Sequence, residues 1–186
     1  MDIRARKYFK PLIALLTGLI VISACAPRTP VTAQKQAAPV NTLPAPSGLV
    51  NDYANLFDAA EKQELESFLV KLRDQANIDF AVVTIETTDG RPIFDYSLAL
   101  AKEWKVGPKE VSKGGGLLFL LARKDRQWRL QVSRNLEKDL PDEVCKELGE
   151  QSLELYKQGF YAEGVVKYVK AIVARLEKRR GFSLKL

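Results

Sequence analysis

The feature that most constrains this chain is a glycine run that opens directly onto an apolar run, Gly114-Gly115-Gly116-Leu117-Leu118-Phe119-Leu120-Leu121-Ala122. A strand with one wet face alternates apolar and polar residues. An unbroken apolar run instead predicts a strand covered on both faces, in the middle of a sheet with helices on each side. Consecutive glycines allow φ > 0 and close approach by another group. The segment ahead of the strand is therefore expected to be a ligand-accessible loop. The alternative is that the glycines only turn the chain into a core strand.

The flanking pattern extends this strand into a fold. Asp58-Ala59-Ala60-Glu61 has capping-box spacing. Leu65, Phe68, Leu69, Leu72 and Ala76 follow at helical spacing, which predicts an amphipathic helix over 59–76. Phe80 to Ile85 reads as a second buried strand, closed by Asp89-Gly90. Pro92 suits a first helical turn, Ile93 to Trp104 mark one helix face, and Gly107-Pro108 is the expected stop. Strand, helix, strand in this order predicts a parallel βαβ unit with a right-handed crossover. Trp128, Leu130 and Val132 alternate with Arg129, Gln131 and Ser133, as in a half-exposed antiparallel strand. Two helices are expected to finish the chain. One runs from Asp142 to Gln158 with Gly159 as its stop, and the other carries Val165 to Leu176 and ends at Gly181. The fold class is α/β, an α/β/α sandwich with a small mixed sheet flanked by helices.

The N-terminal residues read as targeting. Arg4, Arg6, Lys7 and Lys10 form a basic n-region, and an uncharged apolar segment follows from Pro11 to Ala24. That segment is short for a membrane span and suits a signal-peptide h-region. Small residues precede Cys25 as in a bacterial lipobox, so residues 1–24 are expected to be a lipoprotein signal peptide and Cys25 the lipidated residue. Two acyl chains on one cysteine meet the requirement for stable anchoring. Residues 25–46 hold five of the nine prolines and form the expected tether. The folded domain is then 47–182, with 183–186 as a tail. With Cys25 lipidated, Cys145 has no disulfide partner. It sits at helical spacing among apolar residues, and with no histidine in the chain it lacks a base to make it a nucleophile.

Net charge is +6 for the whole chain, but residues 1–24 carry four bases and one acid, so a chain cut there keeps 25 bases and 22 acids, or +3. The basic balance is largely a targeting feature and gives no support to nucleic-acid binding.

Several segments in order resemble the TPM domain family. They are Leu49-Val50-Asn51-Asp52, the capped helix from Asp58, Trp104-Lys105-Val106-Gly107, Gly116 to Ala122, Leu136-Glu137-Lys138-Asp139-Leu140-Pro141-Asp142, and Gly159-Phe160-Tyr161-Ala162-Glu163-Gly164. The resemblance covers about Leu49 to Phe182. It implies an αβα fold, an extracytoplasmic location and a carboxylate-lined cleft at one end of the sheet. Some members bind divalent cations there with weak acid-phosphatase activity, and others act as assembly or accessory factors for membrane complexes. This chain departs from the family at two loops. The family's loop before the central strand is usually acidic or Asn-rich; here it is Ser112-Lys113-Gly114-Gly115-Gly116. A glycine-rich turn is replaced by Ser133-Arg134-Asn135-Leu136-Glu137. Family members commonly carry a C-terminal membrane helix, for which the N-terminal lipid is the expected substitute.

Phosphate-ester hydrolysis without histidine calls for carboxylates holding Mg²⁺ or Ca²⁺, or an aspartate nucleophile. Ligands in open α/β sheets bind outside the carboxyl ends of the strands. Asp89 follows the first buried strand there, and the resemblance places Asp52 near the same cleft, so these two are the candidate metal ligands. Lys113 and Arg134 are expected close to them, where they repel a cation, and with Gly114, Gly115 and Gly116 they form a candidate anion site. Glu137 and Asp142 are candidates for the cleft or for capping the third helix. Asp52 as a turn or cap residue, and Asp89-Gly90 as a plain turn, are the alternatives. The expected function is a lipid-anchored assembly, maintenance or accessory factor for an envelope complex, with the membrane and an envelope protein as partners. The alternative is a divalent-metal-dependent phosphatase. A third reading places an anionic surface against Arg175, Lys178, Arg179 and Arg180.

Overall fold

A computed structural model describes residues 46–107 and 114–185, all within the unit Leu43–Leu186. In chain order the elements are β1 (Val50–Asp52), α1 (Ala59–Ala76), β2 (Ile78–Ile85), α2 (Ile93–Glu103), β3 (Gly115–Ala122), β4 (Gln127–Val132), α3 (Asp142–Glu150), α4 (Leu153–Gln158) and α5 (Tyr161–Arg180). The strands form one open mixed sheet in the order β1-β2-β3-β4. The first three are parallel, and β4 runs antiparallel to β3.

The apolar run of β3 is buried along its whole length, and its alternate residues divide between two cores. Leu117, Phe119 and Leu121 face one side, against Leu65, Leu69 and Leu72 of α1 and Tyr168, Val169 and Ile172 of α5. Leu118, Leu120 and Ala122 face the other side, against Tyr96 and Leu100 of α2. Period-two geometry makes this split compulsory once helices cover both faces. The α/β/α sandwich expected from the sequence is the observed fold.

Helix α1 begins and ends as its sequence dictates. The Asp58 carboxylate accepts from the Glu61 amide at 2.8 Å, and the Glu61 carboxylate accepts from the Asp58 amide at 2.9 Å. Asn77 closes the helix in the left-handed region, with φ of 55°.

Three local expectations are corrected. Gly115 and Gly116 are not loop but the first residues of β3, and neither has a positive φ. They are needed for close approach. A Cβ on Gly115 would overlap the Leu136 side chain, and one on Gly116 would overlap the Val106 carbonyl. Helix α2 ends at Glu103, ahead of Gly107-Pro108, and Lys105 takes the left-handed turn at φ of 52°. The expected helix over 142–158 is two helices. The Trp128 ring lies where a Cβ of Gly149 would go, which pins α3 to the sheet, and the chain turns at Gln151-Ser152 before α4. Val50–Asp52, to which the sequence pattern assigns no element, is a strand, the parallel edge next to β2.

Candidate functional site at the carboxyl ends of the strands

The parallel strands β1, β2 and β3 all end on the same side, where Asp52, Glu86-Thr87-Thr88 and Arg123-Lys124-Asp125-Arg126 leave the sheet. Asp52 stands opposite Thr84 in register. Its carboxylate accepts from the Leu56 amide at 3.1 Å, from the Phe57 amide at 2.9 Å and from the Thr84 hydroxyl. It thereby fixes the turn from β1 into α1, the alternative reading given above. Asp89 is exposed, with φ of 54°, and its amide donates to the Thr87 hydroxyl at 3.0 Å. It and Gly90 form the turn that precedes α2. Among the described residues, no group of three or more histidines, cysteines, aspartates or glutamates is placed to hold a metal ion.

The polar residues that do meet here were not singled out in the sequence. Ile85 pairs with Ala122 in the parallel register, so the next residues, Glu86 and Arg123, leave the sheet side by side. Glu86 accepts from Arg123 at 2.6 Å and pairs with Lys124 at 3.3 Å. The hydrogen bond from Arg123 holds its carboxyl below the usual range. Asp125 accepts from the Thr88 amide at 2.7 Å and from the hydroxyls of Thr87 and Thr88 at 2.9 and 3.0 Å. The Thr88 amide is the main cause of its lowered pKa. Parallel pairing of the two apolar runs is the signal that could have found both acids.

The candidate anion residues lie at the other end. Arg134 follows Ser133, whose amide donates to the Gly116 carbonyl at 2.9 Å, so it belongs to the amino end of β3. Gly115 and Ala122 are seven residues apart in β3, or roughly 23 Å. Lys113 lies outside the described residues; Gly114 next to it is at the amino end, where its carbonyl accepts from the Asn135 side chain at 3.2 Å. Arg134 is exposed and does not stand beside Asp52 or Asp89, contrary to expectation. The glycine amides are also taken: Gly115 donates to the Asn77 carbonyl at 3.2 Å and Gly116 to the Ser133 hydroxyl at 2.9 Å. These two amides therefore do not form an open anion seat.

Glu137 is exposed in the turn before α3. Asp142 is the first residue of α3 and pairs with Arg129 at 3.4 Å, while Pro141 occupies the cap position, so neither acid caps the helix with its side chain. Three of the four C-terminal bases serve the fold. Arg175 donates to the Asp139 carbonyl at 3.3 Å, and Arg179 and Arg180 pair with its carboxylate at 3.5 and 2.8 Å. Cys145 is buried in α3, where desolvation pushes its thiol up to about 11, away from the thiolate a nucleophile needs. Cys25 lies outside the described residues. No helix among those described is long and apolar enough to cross a membrane.

Beside the Glu86–Arg123 pair, between the ends of β3 and β4 and helices α4 and α5, a pocket of about 280 Å³ opens to solvent. Leu121 and Trp128 line it from the sheet, Tyr156 and Tyr161 from the helices, and Arg123, Arg126 and Lys157 supply the charge. A larger groove of about 600 Å³ runs along α1 and α5. Its rim carries both signs, with Lys170 paired to Glu64 at 3.5 Å.

Comparison with known proteins agrees with this architecture. The TPM domain family matches residues 50–175. The solution structure of the N-terminal domain of a protein from P. gingivalis is 30% identical, with a TM-score of 0.64 over 70% of this chain and 83% of that one. The BA42 protein of Bizionia argentinensis is 19% identical, with a TM-score of 0.52 over 69% and 86% of the two chains. The N-terminal domain of cg2496 from Corynebacterium glutamicum is 14% identical, with a TM-score of 0.50 over 71% and 82%. The last two show the fold alone. No curated protein matches the chain. The family match spans the sheet and all but the end of α5, and with the likeness to the P. gingivalis domain it makes this chain a member of the TPM domain family.

Proposed function

We propose that this chain is a lipid-anchored, extracytoplasmic binding module that helps assemble or maintain a complex of the cell envelope. The observation that carries the reading is the engagement of Asp52, Glu86 and Asp125 at the carboxyl ends of the strands. Asp52 accepts from two amides and a hydroxyl, Asp125 from Thr87 and Thr88, and Glu86 from Arg123. A hard divalent cation needs several oxygen ligands with free lone pairs. These acids already serve the fold, while cationic and aromatic side chains face the open pocket. That composition suits holding a partner group rather than activating water on an ester. The basic n-region, the apolar segment 11–24 and Cys25 support the anchor, and the proline-rich residues 25–46 supply reach.

The test has two arms: phosphate release from a phosphate ester by the full chain with and without Mg²⁺ or Ca²⁺, and fractionation of wild-type and Cys25→Ser protein in cells. The expected results are no metal-dependent release and loss of the mature, membrane-bound form in Cys25→Ser. Two results would overturn the reading: hydrolysis abolished by Asp52→Asn in a folded protein, or Cys25→Ser protein that stays on membranes at mature size.

A further inference from the structure

The pocket at the ends of β3 and β4 has walls that are set in place by glycines inside helices. A Cβ on Gly149 would overlap the Trp128 ring, and one on Gly164 would overlap the Tyr156 ring. Glycine within a helix costs about 1 kcal/mol relative to alanine, and here it lets each ring lie directly on helix backbone. The Tyr156 and Tyr161 rings stack at 6.0 Å with an interplanar angle of 20°. Leu153, at the same pocket, is 38% exposed, one of the large apolar side chains left open to water.

The rim is cationic. Arg123 is already held by Glu86, and Lys157 pairs at 3.5 Å with Glu154, both well exposed, which is a weak pairing. Arg126 stands apart. It sits at the end of the β3–β4 turn with φ of 53°, a backbone region that costs a residue with a Cβ on the order of 1 kcal/mol. Among the described residues with positive φ that are not glycine, three are asparagine or aspartate, which tolerate this region; only Lys105 and Arg126 are not. Among the described residues its amide donates to the Arg123 carbonyl at 3.2 Å, and its guanidinium has no ion pair or side-chain hydrogen bond.

We infer that this pocket binds a small organic anion carried on a flat apolar body, the body between Trp128, Tyr156 and Tyr161 and the carboxylate or phosphoryl group on Arg126 and Lys157. Guanidinium pairs oxyanions in a planar fork, and aromatic walls favour a flat partner. The volume admits a single ring with its acid group and excludes a folded partner. The inference rests on reading the domain as a binding module, and probes without an ester bond keep it separable from hydrolysis.

The test is calorimetric titration of the full chain in detergent with phenylphosphonate and phenylacetate, against inorganic phosphate and acetate. Both aryl anions are expected to bind more tightly than their inorganic or short-chain counterparts, and the stronger of the two identifies the acid group. Arg126→Gly is expected to weaken binding about tenfold, the loss of one charge-assisted contact. It should raise the melting temperature at the same time, because glycine relieves the backbone cost. A purely structural arginine would give no loss of binding. Equal binding by Arg126→Gly and wild type, binding by phosphate as strong as by phenylphosphonate with acetate matching phenylacetate, or no binding by either aryl anion would each overturn the inference.

Discussion

At the amino end of the sheet the packing is set by glycine backbone that its neighbours approach closely. Gly115 and Gly116 start β3 where Leu136 and the Val106 carbonyl leave no space for a Cβ, and their amides bond to Asn77 and Ser133. At the carboxyl end the contacts are made by side chains. Glu86 with Arg123, Asp125 with two threonines, and Asp52 with the turn into α1 each close a connection between elements. The difference teaches where this fold can carry function. The two glycines at the amino end leave no room for a side chain, whereas the carboxyl end leaves charged and aromatic groups beside an open pocket.

The largest expected effect tests the amino end. Gly116→Ala places a methyl group against a backbone carbonyl, which cannot rotate away. Destabilisation of about 3 kcal/mol is expected from overpacking, measured as a shift of the urea midpoint at unchanged slope. Gly115→Ala meets the Leu136 side chain instead and should cost less. An equal or larger loss at position 115 would break the distinction between backbone and side-chain contact.

Asp52 tests the carboxyl end. Asp52→Ala removes the acceptor for two amides and one hydroxyl. A cost of about 2 kcal/mol is expected, since partly buried donors are left unpaired. Asp52→Asn keeps one carbonyl oxygen and should recover part of it. Chemical denaturation of both variants gives the order; an unaffected Asp52→Ala would remove the acid from the fold and return it to the site.

The smallest effect is in the pH dependence. Glu86 and Asp125 have ordinary values of 4.5 and 3.8, and both are lowered in the folded chain. A lowered acid binds its proton more weakly when folded, so the unfolded state takes up protons first as the pH falls. The stabilisation is present above about pH 4.5 and is lost as the pH drops through the folded values. Melting temperature measured between pH 3 and pH 6 should fall toward acid, and Glu86→Gln with Asp125→Asn should flatten that slope. A slope unchanged in the double variant would show that other acids carry it.

What the sequence by itself determined is whatever depends on near neighbours along the chain. The doubly buried β3 follows from Leu117 to Ala122 without a polar residue, α1 from its capping box and spacing, and β4 from strict alternation. Only the tertiary structure decided the rest. Whether Gly115 and Gly116 turn or pack depends on Leu136 and Val106 arriving beside them. The break between α3 and α4 follows Trp128 resting on Gly149. The ends of the sheet were confused for the same reason: a loop entering a strand and a loop leaving one read alike in composition, yet a buried strand of eight residues separates them. Glu86 and Arg123 are 37 residues apart in the chain and meet only because β2 and β3 pair in parallel register. Charge pairing across such a distance is set by the hydrogen-bond ladder between strands, which no local pattern encodes.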